Sequence, residues 1–134
     1  MKKKLLLLVV TLFCTSMIYS QETIDQIILY KISDISVVSS SLTGTGMNGF
    51  KLYVNDEILI MAKAVNTEGK EVTIWPTWKA DKELAISVVE GKSKIIKVKA
   101  MKKGVPLFIT AIYIDDTGKK YTGEVMGEVK EKTE

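Results

Sequence analysis

Residues 96–100 read Ile-Lys-Val-Lys-Ala, so that apolar and charged side chains alternate at every position. Neighbouring side chains of a β-strand point to opposite faces of its sheet, and this period of two is typical of a strand with one buried face. Ile96 and Val98 are predicted to face a core, with Lys97 and Lys99 in water. The two lysines also discourage edge-to-edge pairing with another chain.

Short runs with strand character lie on both sides of this segment, separated by turns rich in Asn, Asp and Gly. The further predicted strands are residues 50–54, 58–65, 72–79, 84–89, 107–114 and 120–129. About seven strands in roughly 100 residues, with few helices, predict an all-β antiparallel β-sandwich. The residues expected in its core are Ile60, Ala62, Val98, Ile109, Ala111 and Trp78.

The hydrophobic pattern before residue 50 does not distinguish clearly between helix and strand. Isoleucines recur at helical spacing over residues 23–31, yet their abundance is typical of strands, so this stretch is either a short helix or an additional strand. A strand is predicted over residues 33–38. Residues 39–49 are rich in Ser, Thr and Gly and are expected to form an exposed loop that packs little.

Pro76 interrupts the predicted strand 72–79. A proline supplies no backbone N–H to a sheet, and its presence predicts an edge position or a bulge.

The first twenty residues predict a secretory signal peptide. Three lysines follow Met1, an apolar stretch of about ten residues comes next, and cleavage is expected after Ser20. The stretch is shorter than the roughly twenty apolar residues of a membrane-spanning helix, and no later run approaches that length. Lipidation at Cys14 is disfavoured, because the bulky Phe13 before it fits a lipoprotein cleavage site badly.

The charge balance and the missing residue types exclude several classes of function. Removing residues 1–20 takes away three of the 19 basic residues and the one cysteine but none of the 16 acidic residues, which leaves the exported chain with balanced charge. This balance and the absence of arginine argue against nucleic-acid binding. The chain has no histidine, which excludes imidazole bases, Ser/His and Cys/His dyads and histidine-ligated metals. We therefore expect no catalytic residues, no metal and no cofactor.

Several pieces of the sequence resemble, in order and spacing, the bacterial immunoglobulin-like domains of the group 2 type, which occur in surface and exported proteins. Residues 54–57, Val-Asn-Asp-Glu, followed by Ile60-Met61-Ala62, look like that family's Val-Gly-Asp/Glu and Leu-x-Ala segments. Residues 76–78, Pro-Thr-Trp, resemble its Trp strand, and residues 104–111 resemble its closing Gly-x-x-x-Ile-x-Ala motif with one residue more. Asn55 departs from the family's glycine.

The likeness covers about residues 32–129, with 39–49 resembling an insertion. It implies an immunoglobulin-like sandwich, and such domains usually act as spacers, adhesive modules or binding accessories and rarely as catalysts. Because one fold can serve many functions, the resemblance gives only an expectation about the function of this chain.

Two tryptophans are the most informative candidates. Trp78 is predicted to be the core tryptophan of the sandwich. Trp75 is expected to be packed or partly covered, with residues 23–31 as its candidate cover; if exposed, it would suit a sugar ring or a protein partner. The candidate binding residues are Trp75, Ser41, Thr43, Thr45 and Asn48.

Two acidic pairs, Asp115-Asp116 and Asp56-Glu57, are interpreted as turn residues, since neither has the alternating acidic spacing of a calcium loop.

The sequence thus predicts an exported, non-catalytic immunoglobulin-like module with a binding or structural role at the cell envelope or surface, either periplasmic or secreted. Its expected partner is a protein or glycan of the envelope. A carbohydrate-binding accessory and a periplasmic enzyme inhibitor are the alternatives. The predicted division is 1–20 signal peptide, 21–31 N-terminal segment, 32–130 sandwich and 131–134 charged tail.

Overall fold

A computed structural model describes residues 23–132, and this part of the chain is almost entirely β-structure. The described residues form nine strands and one short 3-10 turn, Ser39–Ser41. The strands are β1 Ile24–Ile32, β2 Phe50–Tyr53, β3 Glu57–Asn66, β4 Glu71–Val72, β5 Thr77–Ala80, β6 Leu84–Val89, β7 Lys92–Ala100, β8 Gly104–Ile114 and β9 Lys120–Lys130.

The strands form two sheets. Sheet I has the order β1-β3-β7-β6, with β4 also paired to β3, and sheet II has the order β2-β9-β8-β5. The described chain is therefore an all-β sandwich, as the sequence predicts. The β2–β9 pair is parallel, so that sheet II is mixed where the sequence led us to expect an antiparallel sheet.

The main core lies between the inner faces of the two sheets. Ile60, Val98, Ile109 and Ala111 have no exposed surface, and Ala62 has almost none. Burying an isoleucine or valine side chain completely contributes about 1.5–3 kcal/mol relative to leaving it in water. These positions alternate with outward residues along β3, β7 and β8, which is the pattern from which the sequence located them.

Residues 23–31 are an extended strand, the second of the two sequence alternatives. The register of β1 against β3 shifts between Ile24 and Gln26, which marks a β-bulge. The extra residue brings Ile24 and Ile27 to the same, core-facing side although they are three positions apart, and this produces the helix-like spacing. The sandwich accordingly begins at Ile24, before the predicted boundary at residue 32.

The prediction of a strand over residues 33–38 is wrong. Those residues leave β1 and, together with residues 39–49, form a segment that we call the strap, residues 33–49. Val37 and Leu42 of the strap pack against Tyr30, Met61 and Ile95 on the outer face of sheet I, where a second small core forms. Apolar strap residues therefore lie on the sheet instead of forming another strand.

Hydrogen bonds fasten the strap to sheet I. The Tyr30 hydroxyl donates to the carbonyl of Gly44 at 3.0 Å, and Lys63 Nζ donates to the carbonyl of Leu42 at 2.8 Å. At the end of the strap, the backbone N–H of Met47 donates to Leu29 O at 2.8 Å. Partners outside the strap thus hold residues 39–49 in place. Most of these residues are exposed, as expected of a loop, whereas Ser39 is buried and Leu42 and Met47 are half-buried.

The predicted strand 72–79 is two strands in different sheets. β4 ends at Val72 in sheet I and β5 begins at Thr77 in sheet II. Pro76 lies in the crossover between them and is buried. The proline therefore marks a change of sheet, where no ladder hydrogen bond is required. It directly precedes β5, an edge strand of sheet II, which agrees with the predicted edge position, whereas the predicted continuous strand 72–79 is wrong.

The predicted signal peptide, its cleavage site and Cys14 lie outside the described residues, as do the last two residues of the charged tail. Within residues 23–132, no helix has the length and apolar character needed to cross a membrane.

Candidate binding site around Trp75

Trp75 is the most exposed large apolar side chain of the described residues, with 74% of its surface in solvent. It lies in the crossover from β4 to β5, between the buried residues Ile74 and Pro76. Two inward-facing neighbours in a short extended segment direct the side chain between them outward. The buried residues on both sides of Trp75 therefore fix the backbone so that the indole ring stays exposed to solvent.

The expectation that Trp75 is packed or partly covered, with residues 23–31 as the cover, is wrong. Those residues form β1, which pairs with β3 along one edge, whereas β4 and β7 occupy the other edge of β3. Trp75 follows β4 and lies on the side of the sheet away from β1.

Trp78, three residues later, belongs to β5 and packs against the main core while staying partly exposed. Its indole Nε1 donates a hydrogen bond of 2.7 Å to the carbonyl of Ser93 at the start of β7. A tryptophan needs such an acceptor when its ring enters a core. The bond also fixes the first residues of β7, which form one side of the surface next to Trp75.

An open groove of about 340 Å³ lies beside the Trp75 ring. We call it the Trp75 groove; the strap supplies Val38, the crossover supplies Thr73, and β7 supplies Lys92 and Lys94. Val38 is itself exposed. The groove thus combines a flat aromatic face and an aliphatic wall with cationic and hydroxyl donors, which is a chemistry suited to binding.

A polar cluster adjoins the groove through two of its lining residues, Ser39 and Lys94. The hydroxyl of Ser39, a buried residue, donates to Glu71 Oε1, and Lys94 Nζ donates to Ser39 Oγ at 3.2 Å. Lys94 Nζ also lies 3.8 Å from Glu71 Oε1. A serine next to a lysine is the pairing of some nucleophiles with their base, but the base must accept the serine proton. Here the lysine donates and the carboxylate accepts, so the cluster ties the strap to β4 and β7.

Sequence reasoning missed this cluster, since Ser39 is 32 positions from Glu71 and 55 from Lys94. A second tie from the same end of β7 is the hydrogen bond from Lys92 Nζ to the carbonyl of Ile35, at 3.1 Å. The two lysines thereby hold the strap that forms one wall of the groove.

The other candidate binding residues, Ser41, Thr43, Thr45 and Asn48, are all exposed on the strap. The Ser41 hydroxyl donates to the carbonyl of Val38, three residues before it, at 2.6 Å. None of the four lines the Trp75 groove. Asn48 borders a different open groove, next to Phe50, Val105 and Met126. The fold therefore separates the loop candidates from the tryptophan.

The acidic turns use their oxygens locally. Asp115 Oδ1 accepts hydrogen bonds from the Thr117 hydroxyl at 2.6 Å and from the backbone N–H groups of Thr117 and Lys119. These bonds, that from the Thr117 hydroxyl foremost, hold the pKa of the Asp115 carboxyl below its ordinary value. Asp56 Oδ2 likewise accepts from the N–H of Tyr53. Among residues 23–132, no three acidic or cysteine side chains gather in a way that could hold a metal ion.

Comparison of the chain with models of known protein families finds no match, and comparison with curated proteins finds no significant relative.

Proposed function

We propose that this chain is an exported, non-catalytic immunoglobulin-like module that binds a partner at the cell envelope or surface through the Trp75 groove. The observation that carries the proposal is the exposure of Trp75, whose ring the buried neighbours Ile74 and Pro76 keep in solvent. Tryptophan is enriched among the residues that dominate binding energy at interfaces, because it supplies a large apolar area with little conformational freedom to lose.

The strand order supports the immunoglobulin-like part of the proposal. In constant-type immunoglobulin domains, the first, second, fifth and fourth strands form one sheet, and the third, sixth and seventh form the other. When the short strands β2 and β4 are set aside, sheet I reads first, second, fifth, fourth, and β5-β8-β9 are the third, sixth and seventh strands.

Asn55 gives a second line of support. It has a φ of 80°, the left-handed conformation that glycine adopts without strain and asparagine tolerates better than most residues. The resembled family has glycine at this position, so that the departure in sequence preserves the conformation that the turn before β3 requires.

Export and envelope location follow from the predicted signal peptide of residues 1–20. The charge balance of the remaining chain agrees with a partner recognised by contact area and hydrogen bonds more than by long-range attraction.

A carbohydrate ligand is a second candidate, and the lining of the Trp75 groove favours it. The flat apolar face of a sugar ring stacks on an indole, while the hydroxyl of Thr73 and the ammonium groups of Lys92 and Lys94 offer hydrogen bonds to the ring's hydroxyls. A groove of about 340 Å³ is at the small end of the range for ligand pockets.

The test compares the chain exported by a bacterial host with its Trp75→Ala variant. Retention on immobilised envelope fractions and on a glycan array is measured for both, with Val105→Ala as the control. Val105 has 72% of its surface exposed and borders the other groove, so both substitutions remove exposed apolar surface. Loss of a central interface tryptophan costs about 2 kcal/mol or more, which corresponds to at least about 30-fold weaker retention.

We expect Trp75→Ala to lose retention and Val105→Ala to keep it, with unchanged circular dichroism in both variants. Binding to the glycan array would select the carbohydrate candidate, and binding to protein components of the envelope alone would select a protein partner. Equal retention of wild type and Trp75→Ala would reject the groove as the binding site.

A further inference from the structure

We propose that the outer face of sheet II binds a second copy of this chain, in a two-fold symmetric dimer whose axis runs close to the direction of β8. The inference rests on a row of three outward-facing residues across sheet II, in which Lys79 and Glu124 lie on either side of the uncharged Thr110. This surface is separate from the Trp75 groove and does not depend on the function proposed there.

The centre of the face is an apolar column on β8. Phe108, Ile112 and Ile114 point outward, and the first two are half-buried. Met126 of β9 pairs with Phe108 and extends the column sideways. Ile114 and Met126 have 61% and 54% of their surface exposed. Thr110 separates the Phe108–Met126 pair from Ile112 and Ile114, and apolar residues on an outer face with polar neighbours are typical of protein interaction surfaces.

One row across the face carries opposite charges at its two ends. Lys79 of β5 pairs with Thr110 of β8, and Thr110 pairs with Glu124 of β9, so the three residues form one row across the sheet. The Thr110 hydroxyl donates to Glu124 Oε2 at 3.1 Å, which shows that the side chains share the outer face. In the part of the chain that the structure describes, neither Lys79 nor Glu124 takes part in an ion pair.

The arrangement of these charges is self-complementary for one orientation of a second copy. A two-fold rotation about an axis along β8 exchanges the two sides of the face and keeps the row at its level. Lys79 of each copy then lies opposite Glu124 of the other, and both contacts are favourable. A two-fold axis across the strands would instead set Lys79 against Lys79 and Glu124 against Glu124. The charges therefore select the arrangement with parallel β8 strands.

The size of the face agrees with a weak, reversible dimer. β8 and β9 have 11 residues each, or about 36 Å, and four strands about 4.8 Å apart span about 19 Å. Because β2 and β5 have only four residues each, the four strands cover about 470 Å² per copy, or about 950 Å² for the two copies together, which is within the range of weak, reversible interfaces. Two such faces stack with their strands about 30° apart, as sheets do inside sandwiches.

Charge reversal tests the proposal on the chain as a bacterial host exports it, with its N terminus determined by mass spectrometry. Sedimentation velocity from micromolar to millimolar concentration measures the dimer dissociation constant of wild type, Lys79→Glu and Glu124→Lys. By symmetry each substitution turns both charge contacts repulsive, and we expect the dissociation constant to rise by at least about tenfold. The control is Lys97→Glu, an equal charge change on the exposed side of β7 in sheet I.

An equimolar mixture of Lys79→Glu and Glu124→Lys restores both attractive contacts, and we expect it to dimerise at least as tightly as wild type. High salt weakens these effects because the contacts lie at the rim. The proposal is overturned by a wild-type chain that stays monomeric up to millimolar concentration. It is equally overturned by a dimer that both reversals leave unchanged, or by a mixture that fails to associate.

Discussion

The two outer faces of the sandwich differ in how their apolar residues are covered. On sheet I, residues such as Met61 and Ile95 are covered by the strap, and only 1% of each is exposed. On sheet II, Ile114 and Met126 face solvent. A sheet with apolar side chains on both faces needs a cover on each of them. The chain supplies the first cover itself, and a second copy is our proposal for the other.

The difference also separates two kinds of surface. The strap is held to sheet I by the Tyr30 hydroxyl, Lys63 and the Ser39–Glu71–Lys94 cluster, and its near end becomes a wall of the Trp75 groove. Covering the sheet and building the groove are thus done by one segment. Changes that loosen the strap should therefore act on both, whereas changes on sheet II should act on neither.

The largest expected effect comes from truncating a residue beneath the strap. Ile95→Ala leaves a cavity in the second core, and we expect the free energy of unfolding to fall by about 2–5 kcal/mol. The matched substitution on sheet II, Ile114→Ala, should change it by less than about 0.5 kcal/mol, because that side chain is mostly exposed. Urea unfolding followed by circular dichroism measures both, and equal losses would show that the strap does not seal sheet I.

Two glycines in the strap test how closely it packs on sheet I. Gly44 and Gly46 both have positive φ, 85° and 83°. A Cβ at Gly44 meets nothing, whereas a Cβ at Gly46 would overlap Leu29 O and Ile28 Cγ2. We expect Gly44→Ala to cost about 1 kcal/mol from the backbone conformation alone and Gly46→Ala about 3 kcal/mol.

The same unfolding measurement tests this pair. A larger loss for Gly44→Ala than for Gly46→Ala, or no loss in either, would mean that the strap does not return along β1 at the observed distance.

A smaller effect is expected from the Tyr30 hydroxyl. Tyr30→Phe removes its hydrogen bond to Gly44 O and should lower the free energy of unfolding by about 1 kcal/mol at neutral pH. Burial raises the pKa of Tyr30 above its ordinary value of 10.0, so the folded chain holds the phenol proton more tightly than the unfolded chain. This contribution is complete below pH 10.0 and is lost as the pH rises through the folded pKa.

The wild type should therefore lose more stability than Tyr30→Phe when the pH rises above 10.0. Thermal unfolding of both proteins across that range gives the comparison. Parallel pH profiles would indicate that Tyr30 ionises as freely in the folded chain as in the unfolded chain.

Local pattern sufficed for the strands that are bounded by turns. The sequence predicts β6 at its observed limits, residues 84–89, and β9 within one residue, because alternation and the adjacent Gly-containing turns are local signals. The predictions for β7 and β8 begin four and three residues late. The all-β sandwich follows from the number of such strands. The same reasoning failed at residues 33–38, where apolar residues pack on a sheet face instead of pairing in it.

The features that the sequence did not predict depend on contacts between residues far apart in the chain and on which sheet each strand joins. The exposure of Trp75 depends on the change of sheet at Pro76, and the Ser39–Glu71–Lys94 cluster joins residues far apart in the chain. One local signal does bear on the cover of sheet I: residues 59–62 and 95–96 are apolar at consecutive positions. Such runs indicate a strand covered on both faces, and they therefore pointed to a covering segment outside sheet I.

The most direct test of the contrast between the two outer faces is the rate at which two methionines are oxidised. Met61 lies under the strap with 1% of its surface exposed, and Met126 lies on sheet II with 54% exposed. Dilute folded protein is treated with hydrogen peroxide, and sulfoxide formation at each residue is followed by mass spectrometry of peptides. We predict that Met126 is oxidised at least about tenfold faster than Met61, since oxidation follows exposure. Equal rates in the folded protein would contradict a sealed face on sheet I and a bare face on sheet II.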